Sequence, residues 1–181
     1  MPRPGTAGQA SIKTPSAKVL PLHPKRLARA KPELTFALER FADIAPELPD
    51  LFVQQWRELE DEDYPLAVDW KAFYAHELQG SLLVSVARAD GKIVGFIFAL
   101  FLPTLNHATT LHCLVERFWL DPAHRGGWFA MRWFRNLIDE AGERGAKRLL
   151  ITENIKFMRG RMAFFKRLGL SPAQATFAMR L

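Results

Sequence analysis

Phe118-Trp119-Leu120-Asp121-Pro122-Ala123-His124-Arg125-Gly126-Gly127-Trp128-Phe129-Ala130 joins the end of a strand to the start of a helix through a short glycine-containing turn. Upstream, residues 110–120 read as a long strand stopped by Asp121-Pro122. Downstream, residues 126–143 read as a helix with Ala130, Phe134, Leu137, Ile138 and Ala141 on one apolar stripe. Such a junction makes an anion site. The first N–H groups of a helix lack intrahelical partners, and the macrodipole places roughly half a positive charge there. Gly126 and Gly127 let a phosphate approach the backbone, and Arg125 adds a charged contact.

Outward from this junction the chain reads as an α/β protein of the α+β type. Residues 34–40 suit a first strand with Leu34, Phe36 and Leu38 on one face. Residues 45–60 suit a helix whose stripe is Leu48, Leu51, Phe52, Gln55, Trp56 and Leu59. A second helix is expected over 69–78, with Asp69 as N-cap and Gly80 as its stop. Residues 81–88 and 93–102 read as two strands of a hairpin turning at Ala89-Asp90-Gly91-Lys92, and 103–109 as a loop. A short buried strand at 147–152, a helix at 161–168 and a closing strand at 175–181 complete the pattern.

The chain carries 25 Lys and Arg against 19 Asp and Glu. Seven of those bases, from Arg3 to Lys31, precede Pro32 with no acid among them. Six of the twelve prolines, from Pro2 to Pro32, fall in the same stretch. The expected organisation is therefore a flexible basic arm over 1–33 and one folded domain over 34–181. Without aromatic residues the arm gives only a weak nucleic-acid signal, and a solvated tail is the better reading. A lone cysteine, Cys113, excludes an intramolecular disulfide framework and a thiolate metal cluster. No stretch is apolar enough to span a bilayer and none reads as a secretory leader, so a soluble cytoplasmic protein is expected, without a membrane partner or a metal site.

The junction resembles the signature of the GNAT N-acetyltransferase superfamily, a strand followed by V-x-P-x-x-[RQ]-x-x-G-x-[GA] and a helix. Leu120, Pro122, Arg125 and Ala130 occupy the hydrophobic, proline, basic and final small positions. Arg88 to Gly95 resembles the family's Asp-Gly hairpin leading into an I/V-V-G strand, and Phe164 to Leu170 its F-Y-x-x-x-G-F helix end. Glu116 and the double glycine after Arg125 give the closest likeness to GNAT-like proteins of phage and prophage origin. The resemblance implies a mixed, mostly antiparallel sheet splayed between the strand ending at Leu120 and the strand at 147–152, with helices on both faces. It implies acetyl-CoA in the gap as co-substrate. Main-chain groups of Phe118, Trp119 and Leu120 would hold the pantetheine arm; amides of Arg125, Gly126, Gly127, Trp128, Phe129 and Ala130 would hold the pyrophosphate. The implied activity is acetyl transfer to a primary amine on a small molecule or a protein. Three departures stand out: Trp128 where the turn has Gly, Phe165 where many members have the Tyr that protonates the leaving thiolate, and Met158 in place of a frequent Asn. They leave a second reading open, a non-catalytic binding protein on the same fold acting through CoA or through its arm.

The catalytic candidates are Glu116 and His112, four residues apart and on one face by strict alternation, with Arg117 on the other. Glu116 reads either as a proton relay for the incoming ammonium or as an ordinary paired surface charge. His112 reads more readily as a sheet histidine. Trp128 points to solvent and reads as a cover for the cofactor's adenine, as a partner contact, or as a single exposed aromatic. The acidic run from Glu58 to Asp63 reads as a solvated helix end or as an attractor for a cationic acceptor. Cys113 reads as an inert buried thiol.

Overall fold

The computed structural model describes Met1, residues 33–59 and residues 65–175. Apart from Met1 and Glu33, the basic arm lies outside the described residues, as does the closing strand beyond Ala175. Five strands form one sheet in the order β1 (Leu34–Leu38), β2 (Leu82–Ala89), β3 (Lys92–Thr104), β4 (His107–Leu120) and β5 (Arg148–Ile151). The first four are antiparallel neighbours and β5 runs parallel to β4. The expected mixed sheet is present.

Helices cover both faces. On one lie α1 (Phe41–Ile44), α2 (Pro49–Leu59) and α3 (Trp70–Leu78); on the other lie α4 (Phe129–Glu143) and α5 (Ile155–Arg167). The first face is built from aromatic rings. Phe41 stacks on Phe73 at 4.9 Å, Phe52 on Phe96 at 5.2 Å, and Phe96 on Phe98 at 4.9 Å. Such pairs add to the stabilisation from burial alone. On the second face Trp133 of α4 is buried and donates from Nε1 to Ser85 Oγ at 2.7 Å, fixing α4 to β2.

Local chemistry explains most boundaries. The Asp69 carboxylate accepts from Ala72 N–H at 3.0 Å, capping α3 as its sequence suggests. Asp90 and Gly91 both take positive φ, 48° and 79°, which is the turn a two-residue hairpin favours. Four expectations are corrected. The helix expected at 126 begins at Phe129, because Gly126 and Gly127 adopt φ of 103° and 66° and stay in the turn. The α4 stripe centres on Phe129, Met131, Trp133, Phe134 and Leu137, leaving Ala130 and Ile138 half-buried. The segment 103–109 tightens into a hairpin, since Thr104 pairs with His107. The last helix starts at Ile155 rather than 161, because the Asn154 side chain accepts from Lys156 N–H at 3.0 Å and caps it well before the expected start.

Candidate active site

β4 and β5 stay paired only from His112–Arg148 to Val115–Ile151. Beyond Val115, β4 continues to Leu120 with no β5 partner. The parting coincides with a bulge against β3: Phe98 opposes Arg117 and Ala99 opposes Val115, so Glu116 has no opposite residue. One extra residue reverses the alternation. Cys113 and Val115 face α4 before the bulge, and Phe118 and Leu120 face it after. Arg117 therefore lies with Glu116 on the α2–α3 side, correcting the expectation that the two point to opposite faces.

An open strand edge leaves carbonyls that need donors. Gln55 Nε2 donates to Phe118 O at 3.3 Å, and Arg125 Nε donates to Leu120 O at 2.6 Å. Gln55 is 2% exposed and its Oε1 has no partner among the described residues. Each capped carbonyl keeps a second lone pair able to accept a further N–H donor. The Arg125 guanidinium meets the Glu58 carboxylate through two bonds of 2.6 Å, and Trp119 Nε1 donates to Glu58 Oε2 at 2.9 Å. Hydrogen bonding to Arg125 holds the Glu58 carboxyl below its usual pKa; partial burial opposes this and the Trp119 indole supports it. The Arg125 side chain ties the turn to α2, and each of its terminal nitrogens keeps a second N–H. Glu58 thereby leaves the acidic run, whose remaining members, Glu60 to Asp63, lie outside the described residues.

The α4 terminus suits an anion. Its first turn has no acidic residue, Trp128 offers no side-chain cap, and none of the described residues lies within 4 Å of where a Cβ on Gly126 or Gly127 would project. The first amides of α4 receive no side-chain cap, which leaves donors of the kind an anion takes. Trp128 itself is 69% exposed, as its place on the helical wheel suggests.

Across the parting, Phe165 of α5 meets the Phe118 ring edge-on at 6.4 Å. One turn earlier, Arg161 lies 5.5 Å from the Phe118 ring centre and 4.9 Å from that of Phe157, and donates to Glu153 at 2.7 Å. Arg161 and Glu153 were missed in the sequence, where they look like ordinary surface charges.

On the α2–α3 side a cavity of about 240 Å³ reaches the bulge. Its polar lining is Asp69, His76, Glu116 and Arg117. His76, also missed, keeps its place through a 2.9 Å contact between Nδ1 and Ser81 Oγ. His112 does not line this cavity. It is 7% exposed, opposite Leu102 and Arg148, with its ring 6.3 Å from that of His107 and both ring nitrogens unpartnered among the described residues. Cys113 is fully buried, and burial pushes its thiol pKa up to about 11, as befits an inert thiol. Among the described residues no cluster of three or more His, Cys, Asp or Glu is placed to hold a metal, and no helix is long and apolar enough to cross a membrane.

The profile of the Acetyltransferase (GNAT) family matches residues 45–170. The chain belongs to that family. Solved GNAT structures share its fold. A ribosomal-protein-alanine N-acetyltransferase from Brucella melitensis biovar Abortus 2308 superposes with a TM-score of 0.64 at 21% identity, over 82% of this chain and 98% of that one. A predicted acetyltransferase from Clostridium acetobutylicum, solved with acetyl-CoA, gives 0.62 at 17% identity over 82% and 96%. An aminoglycoside acetyltransferase from an uncultured soil metagenomic sample, in complex with sisomicin, gives 0.63 at 14% over 82% and 96%. No curated protein matches this GNAT chain in sequence.

Proposed function

We propose that the protein is an N-acetyltransferase that passes an acetyl group from acetyl-CoA to a primary amine by direct attack on the thioester. The observation that carries this reading is the parting of β4 from β5 after Val115, beside an uncapped 15-residue helix with an open glycine turn. Amides at the start of α4 would bind the pyrophosphate, and the β4 edge from Phe118 to Leu120 would align the pantetheine arm. Acetyl-CoA supplies the activated acyl group. The likeness to phage-associated members rests on the pattern from Glu116 to Gly127 and belongs to the same proposal.

An amine attacks only with its lone pair free, whereas an alkylammonium has a pKa near 10.4. Glu116, placed by the bulge where the cavity meets the parted strands, takes up that proton through a water. On the leaving side Phe165 has no proton to give. The Arg161 guanidinium on the same face of α5 supplies positive charge near Phe118 instead. Phe165 is also what favours the second reading, a non-catalytic CoA-binding protein.

Thermal unfolding and thiol release separate the two. Acetyl-CoA at a hundred times its Kd should stabilise the fold by about 2.7 kcal/mol. Glu116→Gln should lower kcat by roughly 10²-fold with acetyl-CoA affinity little changed. Phe165→Tyr should speed turnover or leave it unchanged. An unmoved melting curve at millimolar acetyl-CoA would remove the cofactor assignment; full activity in Glu116→Gln would remove Glu116 from the mechanism.

A further inference from the structure

We infer that the acceptor is a primary amine carried on an apolar chain or a single aromatic ring, seated in the cavity between α2, α3 and the β4 bulge. This rests on the acetyltransferase reading above and deepens it. The walls are Phe52, Leu66, Val68, Phe73, Phe98 and Leu100. Three of these are rings locked into the face's aromatic stack, with Phe52 and Phe98 at 5.8 Å and Phe73 and Phe98 at 5.2 Å, so the walls are preformed. At ~30 Å³ per water, 240 Å³ holds about eight waters, or a substituent on the order of ten non-hydrogen atoms.

Charge orients the occupant. Glu116 stands where the cavity reaches the open strand edge, so an ammonium drawn to it arrives beside the place proposed for the thioester. Of the other polar groups in the lining, Asp69 Oδ1 is engaged in capping α3, His76 Nδ1 contacts Ser81 Oγ, and Arg117 has interactions of its own. The rest of the amine must then lie against hydrocarbon. A polyhydroxylated, multiply charged acceptor would strip water from groups that this wall cannot hydrogen-bond, a cost that discriminates steeply. A peptide N-terminus would leave its first amide unpaired in the same way. An apolar chain gains at every methylene.

The test pairs turnover with direct binding, because the two fail separately. Thiol release from acetyl-CoA is followed with propylamine, hexylamine, phenethylamine, sisomicin, glucosamine 6-phosphate and an alanine-terminated peptide. Calorimetry measures hexylamine, hexanol and hexanoate on the wild type, Ala72→Leu and Leu100→Arg, with acetyl-CoA affinity measured on all three. The expected result is kcat/KM rising about threefold to fourfold per methylene from propylamine to hexylamine, and at least tenfold poorer turnover of the three hydrophilic acceptors. Ala72→Leu, which fills the cavity, should flatten the chain-length trend, and Leu100→Arg should raise KM with acetyl-CoA affinity unchanged. Faster turnover of any hydrophilic acceptor than of the best apolar amine would overturn the assignment while upholding acetyl transfer. If no amine is turned over although acetyl-CoA binds, the acetyltransferase reading fails and calorimetry decides the cavity. Hexylamine binding that both variants weaken would sustain it; no binding, or tighter binding of hexanoate, would overturn it.

Discussion

Removing the Glu58 side chain with Glu58→Ala should cost far more than removing its partner Arg125, although the two share one ion pair. The pair is partly exposed, with side chains 27% and 36% accessible, so water screens it and its own worth is about 0.5–1 kcal/mol. Arg125→Ala loses that and an exposed hydrogen bond to Leu120 O that water can replace. Glu58→Ala also leaves the Trp119 indole N–H without its acceptor, and Trp119 is 4% exposed. An unpaired buried donor costs about 1–3 kcal/mol, bringing the expected loss to about 1.5–4 kcal/mol. For a domain of this size that is roughly 3–16 °C in Tm. Glu58→Gln keeps an acceptor for the indole and should match Arg125→Ala. In a Trp119→Phe background the cost of Glu58→Ala should fall to about 1 kcal/mol, a coupling that a double-mutant cycle reads directly. The sign with pH follows from the carboxyl's lowered pKa: its contribution is full above the ordinary carboxylate range and is lost as pH falls through the folded value. Urea titrations at pH 7 and at acid pH measure both effects. Equal losses for Glu58→Ala and Arg125→Ala at pH 7, with no coupling to Trp119, would refute the reasoning.

Gly95→Ala should destabilise by about 2 kcal/mol, a typical overpacking cost that urea titration would register. Its Cβ would stand 2.7 Å from Trp119 O and 2.9 Å from Leu120 Cδ1. Cys113 should resist iodoacetamide at pH 8 until the protein unfolds, since its pKa is raised to about 11. Its contribution to stability should be complete below the unfolded thiol's pKa of ~8.5 and be lost as pH rises through about 11; rapid alkylation of native protein at pH 8 would contradict this.

Local patterns made most of the scaffold legible. The Asp69 cap and the Asp90-Gly91 turn each act within a few residues, and each is where the sequence places it. The site is less legible because its decisive contacts are long-range. Glu58 and Arg125 lie 67 residues apart, and Gln55 and Phe118 lie 63 apart, with no local feature linking either pair. Arg161 sits in a basic stretch beside Gly160 that looks like a helix boundary, yet Gly160 lies inside α5. His76 looks like an exposed helix residue until β3 and the bulge close the cavity around it. The expectation that Arg117 points away from Glu116 failed for a different reason: alternation assumes a regular strand.

That failure points to the most discriminating experiment on the site. Without Glu116, the run Cys113-Leu114-Val115-Arg117-Phe118-Trp119-Leu120 alternates perfectly, with Cys113, Val115, Phe118 and Leu120 on the α4 face and Trp119 on the other. Removing one residue from a central strand ordinarily turns every later side chain to the wrong face. Here the apolar pattern already fits a regular strand, and Glu116 is the residue that interrupts it. Deletion of Glu116 should therefore leave Phe118 and Leu120 packed. Its cost should be about 1 kcal/mol, the ordinary size of a single-site change that opens no cavity and buries no charge. Deletion of Leu114, by contrast, should invert the faces and prevent folding. Acetyl transfer should be abolished by the Glu116 deletion, because both the carboxylate and the kink that separates β4 from β5 are lost. Acetyl-CoA affinity should fall at least tenfold as well, unlike in Glu116→Gln, which keeps the backbone. Circular dichroism, urea titration and calorimetry distinguish these outcomes. If the deletion variant folds and binds acetyl-CoA as the wild type does, the bulge does not create the opening; if it fails to fold, Glu116 is part of the sheet's own register.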